Sequence, residues 1–154
     1  MTRIVVTISI HRPIGVVFDY ITTPANWPAW HPASRAVSGS VDHSLLIGEQ
    51  VTEEFVAGGR HGSCVWQVTR REVPYLWTIT TSTPQVQAEI TYRLSAQGET
   101  IIFERELTYV TSGLWFWVFD FLLMRRRMNR ESRIALERLK ERLERPASRD
   151  TAPS

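Results

Sequence analysis

The strongest constraint on this chain is an imbalance between sheet and helix. Residues 34–110 read as strands separated by turns, and only one later segment is long enough for a substantial helix. Alternation is clearest in Val86–Leu94, where Val86, Ala88, Ile90, Tyr92 and Leu94 oppose Gln87, Glu89, Thr91 and Arg93. Trp66 shares a face with Cys64 and Val68, and Trp77 shares one with Ile79. Gly48, Gly58, Gly59, Pro74, Pro84 and Gly98 break the pattern. Such spacing predicts an antiparallel meander with one wet face. The helix is expected from about Gly113 to Arg145, with Leu114, Val118, Phe121, Met128, Ser132, Leu136, Leu139 and Leu143 on one stripe. A sheet of about seven strands buries its inner face against so little helix only by curling around it. The space left between them is a pocket.

The remaining segments fit this α+β plan. Arg3 to His11 alternates as a half-buried strand, and Pro13 suits the first turn of a short helix carrying Val16, Val17, Tyr20 and Ile21. Pro24, Pro28 and Pro32 limit the next segment to brief turns. Residues 1–146 are expected to form one domain, and 147–154 a short disordered tail.

Composition narrows the function classes. With 43% hydrophobic and 22% charged residues, the chain reads as globular. A net charge of +2 gives no general field for nucleic acid. Residues 125–145 hold nine basic and four acidic side chains, so the positive charge sits on the last helix. Cys64 is the single cysteine, which excludes an intramolecular disulfide and a cysteine-based metal cluster. The N-terminus alternates where a signal peptide would be continuously apolar. The most apolar stretch, Leu114–Met124, would span about 16 Å as a helix, short of the ~30 Å of a bilayer core. The expectation is a soluble, cytoplasmic protein.

Several residue groups then resemble a known superfamily. They are Arg12–Pro13–Ile14 with Val17–Phe18–Asp19–Tyr20–Ile21, Trp27, Trp30–His31–Pro32, Gly48, and Trp66–Gln67–Val68. Pro74, Thr91–Tyr92 with Leu94, Gly98–Glu99–Thr100, and Glu131–Ser132 with Ala135–Leu136–Leu139–Lys140 continue the likeness across residues 3–144. The chain resembles the helix-grip proteins, which include START lipid-transfer domains, the birch-pollen-allergen group and the polyketide cyclase/dehydrase-like proteins. That resemblance implies a helix-grip fold with a ligand pocket between sheet and helix. It assigns no catalytic signature to particular residues.

Candidate chemistry is sparse. His11, His31, His43 and His61 are scattered without metal-ligand spacing, so no metal is expected, and no motif implies a cofactor. His31 reads either as a turn histidine or as a general acid or base at the pocket mouth. Gly-x-Ser-x-Gly is absent, Gly58, Gly59 and Gly62 read as a hairpin turn, and Cys64 reads as a small buried hydrophobe. Arg105 shares a face with Phe103, Leu107 and Tyr109, and Glu53 shares one with Val51 and Phe55. If these faces point inward, each puts a charge in an apolar cavity, where Arg105 could hold a carboxylate, phosphate or ketone oxygen. In the opposite register Ile102 packs inward and Arg105 is a surface residue.

The candidate ligand-binding set is therefore Trp30, His31, Glu53, Trp66, Trp77, Tyr92, Phe103, Arg105, Trp117 and Phe121. The leading expectation is binding of a hydrophobic small molecule by a carrier or sensor. A polyketide cyclase/aromatase-type enzyme is the alternative. A third reading is docking to a second copy or an anionic membrane, through Phe116, Phe119 and Leu123 followed by Arg126, Arg127 and Arg130 on the helix's far side.

Overall fold

Strict alternation at the start of the chain yields strand β1 (Thr2–Ile10), with its even-numbered residues turned toward the core. The computed structural model describes residues 1–57, 60–84, 86–111 and 121–145. Pro13, at φ −57°, leads into helix α1 (Ile14–Thr22), which buries Val17, Phe18 and Ile21. A 3-10 turn (Pro24–Asn26) and the short helix α2 (Trp27–Trp30) come next. The prolines keep these pieces short, and Trp27 Nε1 pins them by donating to the Ile21 carbonyl at 2.9 Å.

Strands β2 (Ser34–Gly39), β3 (Gln50–Ala57), β4 (Arg60–Glu72), β5 (Leu76–Ser82), β6 (Val86–Gln97) and β7 (Thr100–Thr111) join β1 in one seven-stranded sheet. Its order is β1-β7-β6-β5-β4-β3-β2, antiparallel throughout. The first strand pairs with the last, so α1 and α2 carry the chain from one sheet edge to the other. Register shifts between Ser34 and Ala36 and between Val68 and Arg70 mark where two strands bend. The sheet thereby curls around the C-terminal helix α3 (Phe121–Glu144).

The core has two parts. Under the curl, fully buried Trp77 stacks on Tyr92 with centroids 5.3 Å apart, meets Trp27 edge-on at 6.2 Å, and donates Nε1–H to the Leu45 carbonyl at 3.2 Å. Phe103 closes on the other side of Tyr92 at 5.2 Å. Along α3, Ala135, Leu136, Leu139 and Leu143 are buried, as helical spacing requires. The same half of the helix is tied down by polar contacts. Lys140 Nζ donates to the Ser9 carbonyl at 2.6 Å, Glu144 Oε1 accepts the His11 N–H at 2.8 Å, and Arg142 Nε donates to the Tyr20 hydroxyl at 3.1 Å.

The α+β helix-grip architecture, seven strands and two short helices agree with the sequence expectation. The expected helical start near Gly113 falls in 112–120, outside the described residues, as does the tail 147–154.

Trp77→Ala should lower the unfolding free energy by about 3–5 kcal/mol, because it opens a large void in the aromatic core. Val65→Thr, on the wet face with Val65 47% exposed, should change it by less than ~0.5 kcal/mol. Chemical denaturation of both variants checks the contrast.

Candidate functional site

The curled sheet and the N-terminal half of α3 bound a half-open cavity of about 510 Å³. Its wall is mostly apolar and aromatic, because the inward faces of β4 to β7 alternate hydrophobic residues toward it. Trp30, Trp66, Ile90, Leu107, Tyr109 and Met128 are among those lining it. Polar side chains also line it, among them His31, Glu53, Tyr92, Arg105 and Ser132.

Arg105 comes from β7, where Ile101, Phe103, Arg105, Leu107 and Tyr109 all turn inward. The residue is 5% exposed. Its Nη1 donates to Ser132 Oγ of α3 at 3.3 Å, while its Nε–H, sealed from solvent, meets no acceptor. Across β6 its direct partner is Tyr92. Burial pushes the Tyr92 phenol up to about 12, although the neighbouring Arg105 pulls the other way. The phenol therefore keeps its proton throughout the physiological range.

Glu53 is set on β3 with Val51 and Phe55, opposite Cys64 of β4. It accepts Trp66 Nε1–H at 3.1 Å. Burial raises its carboxyl above the ordinary range, against the pull of the Trp66 hydrogen bond and the Arg105 charge. Glu53 and Arg105 share the cavity without forming an ion pair. Burial also pushes the Cys64 thiol up to about 12, which removes it as a thiolate nucleophile.

His31 lies just after α2 at the cavity edge. Its Nδ1 accepts the Ala33 N–H at 3.1 Å, so the neutral ring carries its proton on Nε2. That Nε2 is enclosed and without a protein partner. Burial, with the charges of Arg105 and Arg138, holds the ring well below its ordinary 6.5.

The structure thus brings Trp30, His31, Glu53, Trp66, Tyr92 and Arg105 to one cavity. It places Trp77 and Phe103 behind Tyr92, packed within the wall and away from the open space. Trp117 lies outside the described residues, and so does the side chain of Phe121. Sequence reasoning passed over Phe55 and Ser132, which also line the cavity. Ser132 carried a signal: it is the polar residue on the apolar stripe of α3, and it is buried because it receives Arg105.

Of the proposed docking residues, Arg126, Arg127 and Arg130 are exposed. Phe116, Phe119 and the side chain of Leu123 lie outside the described residues. Among the described residues, no helix is long and apolar enough to cross a membrane, and no cluster of three or more His, Cys, Asp or Glu has a metal-binding arrangement.

Comparison with known proteins agrees with this architecture. Residues 1–144 match the family described as polyketide cyclase / dehydrase and lipid transport. Penitrem biosynthesis cluster 1 protein I of Penicillium ochrochloron is 34% identical over 65 residues, which is 41% of this chain and only 42% of that protein's length. A START superfamily protein from Mycobacterium smegmatis superposes with a TM-score of 0.72 at 9% identity, over 92% of this chain and 97% of its own. A protein from Thermus thermophilus gives a TM-score of 0.74 at 13% identity, over 98% of this chain and 100% of its own. At such identities the two structures share the fold with this chain.

The titration midpoints of two histidines should be displaced in opposite directions. By NMR, the His31 ring should have its midpoint well below 6.5, while His43, held by Glu49 at 2.8 Å and Asp42 at 3.2 Å, should have its midpoint above 6.5. A histidine whose folded value is depressed takes up its proton more readily when unfolded. His31 therefore leaves stability unaffected above about pH 6.5 and subtracts from it as pH falls below that value. His31→Gln should reduce the acid-side loss, measured as unfolding free energy against pH.

Proposed function

The chain belongs to the polyketide cyclase/dehydrase and lipid-transport family, and on that footing we propose that its cavity takes up one hydrophobic small molecule, as carrier or sensor. The ligand is a lipid, polyketide or aromatic compound. The observation that carries this reading is a half-open, predominantly apolar space of about 510 Å³, within the ~300–1,000 Å³ usual for small-molecule sites. Each 100 Å² of apolar ligand surface withdrawn from water contributes about 2.5 kcal/mol. A ligand filling such a space recovers enough to offset its lost freedom. Trp30 and Trp66 supply flat walls, and Arg105 orients the ligand's polar end.

A second reading is favoured by one specific feature, the presence of Arg105 and a raised Glu53 carboxyl in the same cavity. In a cyclase-type enzyme, Arg105 would polarise a ketone oxygen. Glu53 would take the proton from a carbon next to a second carbonyl; that carbon would attack the polarised ketone carbon, opening its C=O π bond, and the resulting alkoxide would recover the proton from Glu53. Glu53→Gln should then abolish ring closure of a poly-keto chain while leaving its binding within about twofold. A carrier would show no product with either form.

Titration of tryptophan fluorescence with a long-chain fatty acid, a flavonoid or an apolar dye should show saturable one-to-one binding. Ala88, which lines the cavity, is half-buried. Ala88→Phe should therefore weaken binding at least about tenfold, a loss of 1.4 kcal/mol, with unchanged far-ultraviolet circular dichroism. Equal affinity in this filled variant would place the ligand elsewhere.

A further inference from the structure

Five side-chain atoms on residues that line the cavity are shut away from water without a hydrogen-bond partner: the donors Trp30 Nε1–H, His31 Nε2–H and Arg105 Nε–H, and the hydroxyls of Ser34 and Thr81. Trp30 and Arg105 neighbour Tyr92, and His31 neighbours Trp30. Trp30 lies 6.4 Å from the Tyr92 ring between centroids, His31 lies 5.8 Å from Trp30, and Arg105 is the cross-strand partner of Tyr92. Trp30 is fully buried and Arg105 is 5% exposed, so solvent satisfies neither from outside. Unmade hydrogen bonds in such a place are costly, and their removal by a ligand is correspondingly favourable.

The chemistry of the three nitrogens is one-sided, while the Ser34 and Thr81 hydroxyls can donate as well as accept. Indole N–H and guanidinium can only donate. The His31 ring could in principle accept, but its Nδ1 is already occupied by the Ala33 N–H at 3.1 Å, which leaves Nε2 as a donor. The Tyr92 hydroxyl stands beside them with its proton retained. The two carboxyls lining the cavity have partners other than the three nitrogens. Glu53 accepts Trp66 Nε1–H at 3.1 Å, and Glu131 Oε1 lies 3.8 Å from Arg127 Nε.

We propose that Trp30, His31 and Arg105 form a seat for the carboxylate of a hydrophobic monocarboxylic acid, whose apolar body fills the rest of the cavity. This rests on the reading of the cavity as a ligand site and specifies the ligand's polar end. A carboxylate offers two oxygens with about four lone-pair sites and no hydrogen, which suits unpartnered donors. Arg105 adds the matching charge. A primary alcohol or methyl ester of the same skeleton would occupy the apolar space but leave donors unmet.

The test is isothermal titration of the intact protein with dodecanoic acid and with dodecanol. The acid should bind about tenfold or more tightly than the alcohol, the ratio expected of a buried charge-assisted contact. Arg105→Met should remove that preference and leave alcohol affinity within about threefold. Trp30→Phe, which keeps an aromatic ring and deletes one donor, should reduce the preference partially. Circular dichroism confirms that both variants are folded. Equal binding of acid and alcohol by the unaltered protein would overturn the seat and leave the apolar cavity reading standing. A preference that survives both substitutions would also overturn the seat, since the acid would then be held elsewhere, such as on the exposed arginines of α3. Failure of both ligands to bind would overturn the cavity reading and the seat with it.

Discussion

Seven strands present more inner surface than one helix can cover, and the chain meets this constraint by curvature. Register shifts at β2 and β4 bend the sheet, and the C-terminal half of α3 fills the closed end of the curl with Ala135, Leu136, Leu139 and Leu143. Lys140, Arg142 and Glu144 fix that half against β1 and α1. The opposite half faces open space with Met128, Glu131 and Ser132. What remains there is the cavity. It arises directly from the ratio of sheet to helix.

Polar groups within this cavity cost stability where they are unsatisfied, and their arrangement is accordingly economical. Ser132 answers Arg105, Trp66 answers Glu53, and the Ala33 amide fixes the ring of His31. Apolar residues at the same positions would pack with less penalty. Local strain and unmet donors of this kind concentrate where a protein does its work, and stability is then supplied elsewhere in the structure. Here the support is the aromatic stack of Trp77, Tyr92 and Phe103 directly behind the polar group.

The fold was largely legible because it rests on periodicity. Alternation in β1, β6 and β7 and the stripe on α3 are repeated signals that a single residue cannot reverse. The register of β7 was harder to read, since Arg105 and Ile102 compete for the interior and hydrophobicity favours the wrong one. Only the neighbours Tyr92 and Ser132, distant in sequence, show why a guanidinium can face inward. Depth was harder still. Trp77 and Trp66 both point to the concave side, yet Trp77 is covered by Tyr92 and Trp66 is not. That difference depends on curvature, which arises from bulges that leave little trace in composition. The pairing of His31 Nδ1 with Ala33 is equally invisible without the turn after α2.

Native mass spectrometry tests the central claim most directly. The purified protein, incubated with a total lipid and small-metabolite extract and then desalted, should carry one added mass per chain. That mass should disappear after extraction with organic solvent and belong to a predominantly apolar molecule. A spectrum showing only the bare chain after such incubation, from protein whose fold is intact, would contradict the account of the cavity as a ligand site.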